Sequence, residues 1–266
     1  MPELALPPGV AVRGPTAWHR LDPLTKLSLS VATVVAVVVL GGVVGPALVW
    51  LLAVLLPAAA ARVLPGLLRT SALLALPIAV SAAIVNVLFT PGGETVVFEL
   101  GPLRVTGEGV SVAVEVVVRV LVMAGAVTLY YLATRPAELV ASLQAHGVPA
   151  RTTFVIHNAV AMIPRLAERA SEVTEAQRAR GLDSEGSLRR RLRGVMAVAG
   201  PTVSGAIGEA ETRALALEMR GFTRPGRHTL LWAPADSGNQ RAARWAMVAA
   251  VALLVALRLA GWTAPW

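Results

Sequence analysis

The sequence contains no cysteine. That excludes disulfides, thiolate metal sites and cysteine nucleophiles together. Of its 24 lysines and arginines only Lys26 is a lysine. It sits in Leu24-Thr25-Lys26-Leu27-Ser28, with no glycine loop before it. The G-x-x-x-x-G-K-[ST] phosphate cradle is therefore missing, and any energy from ATP has to come from a partner. His19, His146, His157 and His228 form neither an H-E-x-x-H run nor a close pair. No basic-then-apolar leader with a small-residue cleavage site opens the chain, so insertion into a membrane is expected to use the first spans themselves. What is abundant is apolar. Hydrophobic residues are 55% of the chain and the mean hydropathy is +0.65. A soluble chain has roughly 45–50% even with glycine counted.

The apolar residues come in uncharged blocks. Residues 27–61 are 35 in a row without a charge. As one helix they would be about 52 Å long, against a hydrocarbon core of about 30 Å. They read as two spans folded into a hairpin, turning at Gly41-Gly42 and Gly45-Pro46. A third span runs from Thr70 to Thr90 through Pro77, and a fourth from about Val110 to Thr134. Between them, Val96-Val97-Phe98 reads as a short hairpin strand. Glu115 and Arg119 share a face of the fourth span at i,i+4 and pair in a structural role. A fifth span runs from about Trp245 to Trp262, whose tryptophans would lie roughly 26 Å apart along a helix, one at each interface.

Charge orients the spans. Arg13, Arg20 and Lys26 precede the first, and Arg62 and Arg69 lie between the second and third. The 91–109 loop carries Arg104 against Glu94, Glu99 and Glu108, whereas 135–244 holds 16 arginines and 10 acidic residues. Five spans with a cytoplasmic N-terminus put every basic segment inside, the acidic loop outside and the C-terminus outside. The expected organisation is a four-span region at 1–134, a cytoplasmic domain at 135–228, and a linker with the last span at 229–266.

The cytoplasmic segment opens with Arg135-Pro136 and a short amphipathic helix from Ala137 to His146, with Leu139, Val140 and Leu143 on one face. Gly147-Val148-Pro149 ends it. A long helix follows from about Thr152 to Arg180, and a second from about Leu188 to Arg220. The basic run Arg189-Arg190-Arg191-x-Arg193 has no interleaved aromatic, which argues against nucleic acid and fits anionic lipid headgroups. Gly200, Ser204 and Gly208 form a small-residue stripe at four-residue spacing, where two helices are expected to cross closely. The long helices end alike, in Ala179-Arg180-Gly181 and in Met219-Arg220-Gly221. A cation and a glycine suit any helix C-terminus. Two such ends 40 residues apart suggest paired docking tips, since the planar guanidinium grips carboxylates bidentately.

These segments resemble, over nearly the whole chain, the transmembrane T component of energy-coupling factor transporters, the EcfT/CbiQ family. The match lies in Leu21-Asp22-Pro23-Leu24-Thr25-Lys26-Leu27, in Arg135-Pro136-x-Glu138-Leu139 with Gly147-Val148-Pro149, and in Ile163-Pro164 with Ala176-Gln177-Arg178-Ala179-Arg180-Gly181. Glu218-Met219-Arg220-Gly221-Phe222 resembles the second Ala-Arg-Gly signature, with Met219 where the family usually has alanine. The resemblance implies an all-α polytopic protein of the plasma membrane with about five transmembrane helices and a cytoplasmic coupling domain of crossed long helices. It implies a coupling subunit, with no catalytic, cofactor or metal site of its own. That subunit joins two ABC-type ATPases to a small substrate-binding membrane subunit for uptake of a vitamin or of cobalt or nickel. The Arg180 and Arg220 tips would each dock one ATPase. The competing readings are a membrane-bound enzyme and a self-sufficient permease, for which Asn86, Glu115 and Arg119 are the few intramembrane polar groups.

Overall fold

The computed structural model describes residues 16, 18–89, 96–100, 103–182, 187–222, 224 and 236–261. Eight helices are built from them, with a single β hairpin. The chain divides into two compact units, one of residues 1–145 with 232–266, the other of His146–Leu231.

In the first unit, α1 spans Pro23–Val39. Asp22 caps it, its carboxylate accepting the Leu24 N–H at 2.7 Å, and Pro23 supplies the fixed φ of the first turn. The chain turns at Gly42, whose φ of +70° is left-handed. It returns as α2, Val44–Ala60. The middle of α2, Trp50–Leu55, is π-helical. Pro57 explains this: its ring crowds the carbonyl four residues back and it has no N–H to close that turn, so the helix widens there. The two arms are the hairpin expected of residues 27–61. Each has 17 residues, about 26 Å, just under the hydrocarbon thickness.

Helix α3, Leu64–Phe89, continues through Pro77. Strands β1, Val96–Leu100, and β2, Leu103–Thr106, pair antiparallel with a register shift between Val96 and Phe98. The expected strand piece is thus one arm of a hairpin. Helix α4, Gly107–Ala133, is capped by the Thr106 hydroxyl, which accepts the Gly109 N–H at 3.2 Å. A Cβ on Gly109 would lie 2.8 Å from the Asn86 carbonyl oxygen, so glycine is what lets α3 and α4 meet. Val37, Val54, Ala58, Leu67, Val122, Ala126 and Leu129 form the core where α1 to α4 join. Helix α5 is Pro136–Ala145 and belongs to this unit; α8, Gly238–Leu259, closes it against α1.

Leu73, Leu74, Leu76, Ile78, Ile84 and Val85 of α3 all face outward, an apolar surface that suits lipid. Among the described residues three helices are long and apolar enough to cross a membrane: α3 over Leu64–Val87, α4 and α8, with mean hydropathies of 1.9, 2.2 and 1.8. With the α1–α2 arms this is an all-α polytopic membrane fold. The last span starts earlier than the tryptophans indicate. Ser237 caps α8 by accepting the Gln240 N–H, so Trp245 lies inside the helix, and Trp262 is outside the described residues.

The second unit is an antiparallel pair, α6, Ala150–Ala179, and α7, Leu188–Met219. Phe154 near the start of α6 stacks obliquely on Phe222 just past the end of α7, centroids 5.0 Å apart.

Candidate partner-docking site

The two long helices of the second unit end in the same backbone geometry. At the end of α6, Gly181 has φ +86° and donates to the Arg178 carbonyl at 2.9 Å, while Leu182 N–H reaches back to Gln177 at 3.0 Å. At the end of α7, Gly221 has φ +71° and donates to Glu218 at 2.9 Å, while Phe222 N–H reaches Leu217 at 3.0 Å. Both are Schellman closures, and they require a glycine at the left-handed residue. Each holds its arginine, Arg180 or Arg220, at the C-cap directly after the helix, exposed. Neither guanidinium makes a hydrogen bond or ion pair among the described residues. Ala179 is exposed beside Arg180, and Met219 beside Arg220 is 91% exposed. Because the helices are antiparallel, the two tips lie at opposite ends of the pair, and α7 between them is about 48 Å long.

The helix contact does not use the stripe that spacing selects. Gly200, Ser204 and Gly208 are exposed, and a Cβ on Gly200 or Gly208 would meet nothing within 4 Å. The close approach is at Gly205 instead, where Arg169 of α6 lies across the backbone so that a Cβ would overlap its guanidinium. Charge fixes this face. Glu209 lies 3.9 Å from both Arg165 and Arg169 and pairs with Arg213 one turn on, and Arg213 donates to Asn158 Oδ1 at 2.8 Å. Arg165, Arg169 and Glu209, with Glu168 and Glu172, line an open cleft of about 380 Å³. The expected crossing stripe lies on the face that α6 leaves free.

In the first unit a buried polar hub had no short-range sequence signal. Asp22 is fully buried. Its carboxylate accepts the Ser142 hydroxyl of α5 at 2.9 and 3.0 Å, and its N–H donates to Gln240 Oε1 of α8 at 2.8 Å. Arg244 donates to Thr25 Oγ1 at 2.9 Å and to Asp236 at 3.0 Å, and stands 3.9 Å from Asp22. Lys26, 3% exposed, donates to the Ala133 and His19 carbonyls at 3.1 and 3.3 Å. The hub ties the first helix to α4, α5 and α8. His19, whose Nδ1 lies 2.8 Å from the Thr16 hydroxyl, is held below the usual histidine pKa by burial, then by the nearby Lys26 and Arg135 charges, with Glu138 opposing.

The family model described as cobalt transport protein, CbiQ, matches residues 15–230. The energy-coupling factor transporter transmembrane protein EcfT of Thermosediminibacter oceani is 28% identical over 226 residues, 80% of this chain and 83% of that protein. EcfT of Exiguobacterium sibiricum is 32% identical over 168 residues, 58% of this chain and 64% of that protein, so the match spans just under two thirds of this relative. A Bifidobacterium longum protein named as an ABC transporter ATP-binding protein is 32% identical over 237 residues, 84% of this chain but 30% of its own length.

Proposed function

The chain belongs to the CbiQ cobalt transport protein family, and from that premise we propose that it is the transmembrane coupling subunit of an energy-coupling factor importer in the plasma membrane. The observation that carries the reading is the pair of matched tips. Two helix ends with one closure geometry, each offering an exposed arginine that has no partner among the described residues, suit a partner that presents the same groove twice. Two ABC-type ATPases related by a two-fold axis are such a partner. The relative named as an ATP-binding protein, which resembles this chain over only part of its length, supports an ATPase link.

In this reading Ala179-Arg180-Gly181 docks one ATPase and Met219-Arg220-Gly221 the other. The exposed Gly200, Ser204 and Gly208 stripe on α7, with nothing packed on it in its own unit, suits close approach by a helix of a small substrate-binding membrane subunit. The ATPases supply the hydrolysis that this chain has no phosphate loop to perform. The loop charges support a cytoplasmic N-terminus and coupling domain and an extracellular C-terminus, with uptake of a vitamin or of a cobalt or nickel ion as the task. The test is co-purification of the ATPases with wild type and with Arg180 and Arg220 variants, beside substrate uptake. ATPase association that survives loss of both arginines overturns the docking assignment.

A further inference from the structure

The first two turns of α7 combine an exposed apolar ridge with arginines along both of its borders. Leu188, Leu192, Val195 and Met196 recur at spacings of three and four and so share one face. They are 78%, 66%, 64% and 76% exposed. Arg189 and Arg193 border one side of that ridge and Arg191 the other, all three exposed. Gly194 points the opposite way and is buried in the unit. The cations also sit at the wrong end of the helix. An N-terminus is partially positive and favours acidic residues, yet α7 has none in its first turn and none before Glu209. The helix's own electrostatics therefore do not account for the run.

We propose that these two turns form an interfacial anchor, which lays Leu188, Leu192, Val195 and Met196 into a membrane surface rich in anionic phospholipid while Arg189, Arg191 and Arg193 take its phosphates. An apolar face bordered by arginines whose long stems reach the headgroups is the pattern of a helix lying in the interface plane. The occupant follows from charge and tethering. A neutral protein groove would leave three arginines without counter-charge, and this unit is joined at both ends of its sequence to the membrane-spanning unit. The ridge continues along α7 through Val203 and Ile207, but beyond Arg193 no cation borders it before Arg213, and Glu209 and Glu211 follow. The anchor is thus confined to the first turns. It would hold whether or not Arg180 and Arg220 dock ATPases.

The experiment uses the full chain, one copy per nanodisc, with a nitroxide on Leu192→Cys and separately on Leu188→Cys, which the absence of native cysteine makes specific. Discs contain phosphatidylcholine alone or with phosphatidylglycerol. With phosphatidylglycerol at low salt, both labels should collide readily with oxygen and poorly with a water-soluble nickel chelate. High salt or phosphatidylcholine alone should return them to water. Each Arg→Gln change at 189, 191 or 193 should lower the docked-to-free ratio about fivefold, and all three together on the order of 100-fold, as expected for about 1 kcal/mol per basic residue near an anionic surface. Labels exposed to water in both lipids overturn the proposal. Labels hidden equally in both, insensitive to salt and to the triple variant, also overturn it and assign the ridge to a protein contact. Because no ATPase is present, failure here is separate from failure of the docking assignment.

Discussion

Glu115 accepts the backbone N–H of Gly42 at 2.9 Å on the same carboxylate oxygen that holds Arg119 at 2.5 Å. Arg119 in turn donates to the Leu40 carbonyl at 3.3 Å. An i,i+4 pair on α4 thereby fastens the turn between α1 and α2, where Gly42 adopts a left-handed φ. Both side chains are less than a fifth exposed. Glu115→Ala should destabilise the protein by about 2 kcal/mol, because it removes the ion-pair partner of the Arg119 guanidinium and the acceptor of the Gly42 N–H. Glu115→Gln, which keeps an acceptor, should cost less. Thermal unfolding in detergent distinguishes them, and equal losses would remove the Gly42 contact from the account.

Asp22 should be the most sensitive polar position in the first unit. Asp22→Ala removes a helix cap worth about 0.5–2 kcal/mol and also the charged acceptor of the Ser142 hydroxyl, a hydrogen bond worth about 1.5–3 kcal/mol. Expression and melting temperature should fall sharply. Asp22→Asn should retain part of the cap, and Gln240→Ala should be intermediate. Wild-type melting of Asp22→Ala would mean that the hub does not hold α1, α5 and α8 together.

The glycines divide by what surrounds them. Gly109→Ala should disrupt the α3–α4 approach, since its Cβ meets a backbone oxygen at 2.8 Å that cannot step aside. Gly125→Ala, with Val54 at 3.1 Å and Trp50 at 3.4 Å, asks only small shifts of side chains and should be milder. Gly200→Ala and Gly208→Ala enter open space within a helix and should stabilise the isolated chain by about 0.5–1 kcal/mol each. Melting temperatures of the four variants test the order.

His19 gives a pH dependence whose sign is fixed by its lowered pKa. The unfolded chain binds a proton near pH 6.5 that the folded chain resists, so stability is present above that pH and lost as pH falls through it. Melting temperature should decline below pH 6.5 in wild type, and His19→Gln should flatten that slope. An unchanged slope assigns it to other groups.

What could be read from the sequence was local. The hairpin of residues 27–61 follows from run length against bilayer thickness, and both Arg-Gly ends follow from C-cap chemistry. The Asp22 hub was not legible, because Ser142 and Gln240 lie 120 and 218 residues away and nothing in their local spacing marks them as its partners. The crossing point was misplaced for a related reason. Small residues every four positions mark a helix face, but which face meets α6 is decided by Arg165, Arg169 and Glu209. Those charges bring Gly205 to the contact and leave Gly200, Ser204 and Gly208 outside.

Arg180 and Arg220 should matter little for folding and greatly for assembly. Each sits at a helix C-terminus, where an exposed cation is favoured, and each closure depends on the following glycine rather than on the guanidinium. Substitution to Ala or Glu should therefore leave the chain inserted and its melting temperature nearly unchanged. If each arginine fills an acidic groove on an ATPase, truncation costs about 2–5 kcal/mol of binding. That is roughly a 30- to 5000-fold loss of affinity at 1.4 kcal/mol per decade. Loss of one tip leaves the other engaged, so the double variant should be far worse than either single one. Lysine should rescue only in part, because it keeps the charge without the planar fork. Gly181→Ala and Gly221→Ala provide the control. They strain a left-handed residue and should misaim the arginine, lowering ATPase capture with the charge intact. Pull-down of ATPases with each variant, beside substrate uptake, reads all of these outcomes. Full capture and uptake by the double alanine variant would remove both tips from the mechanism.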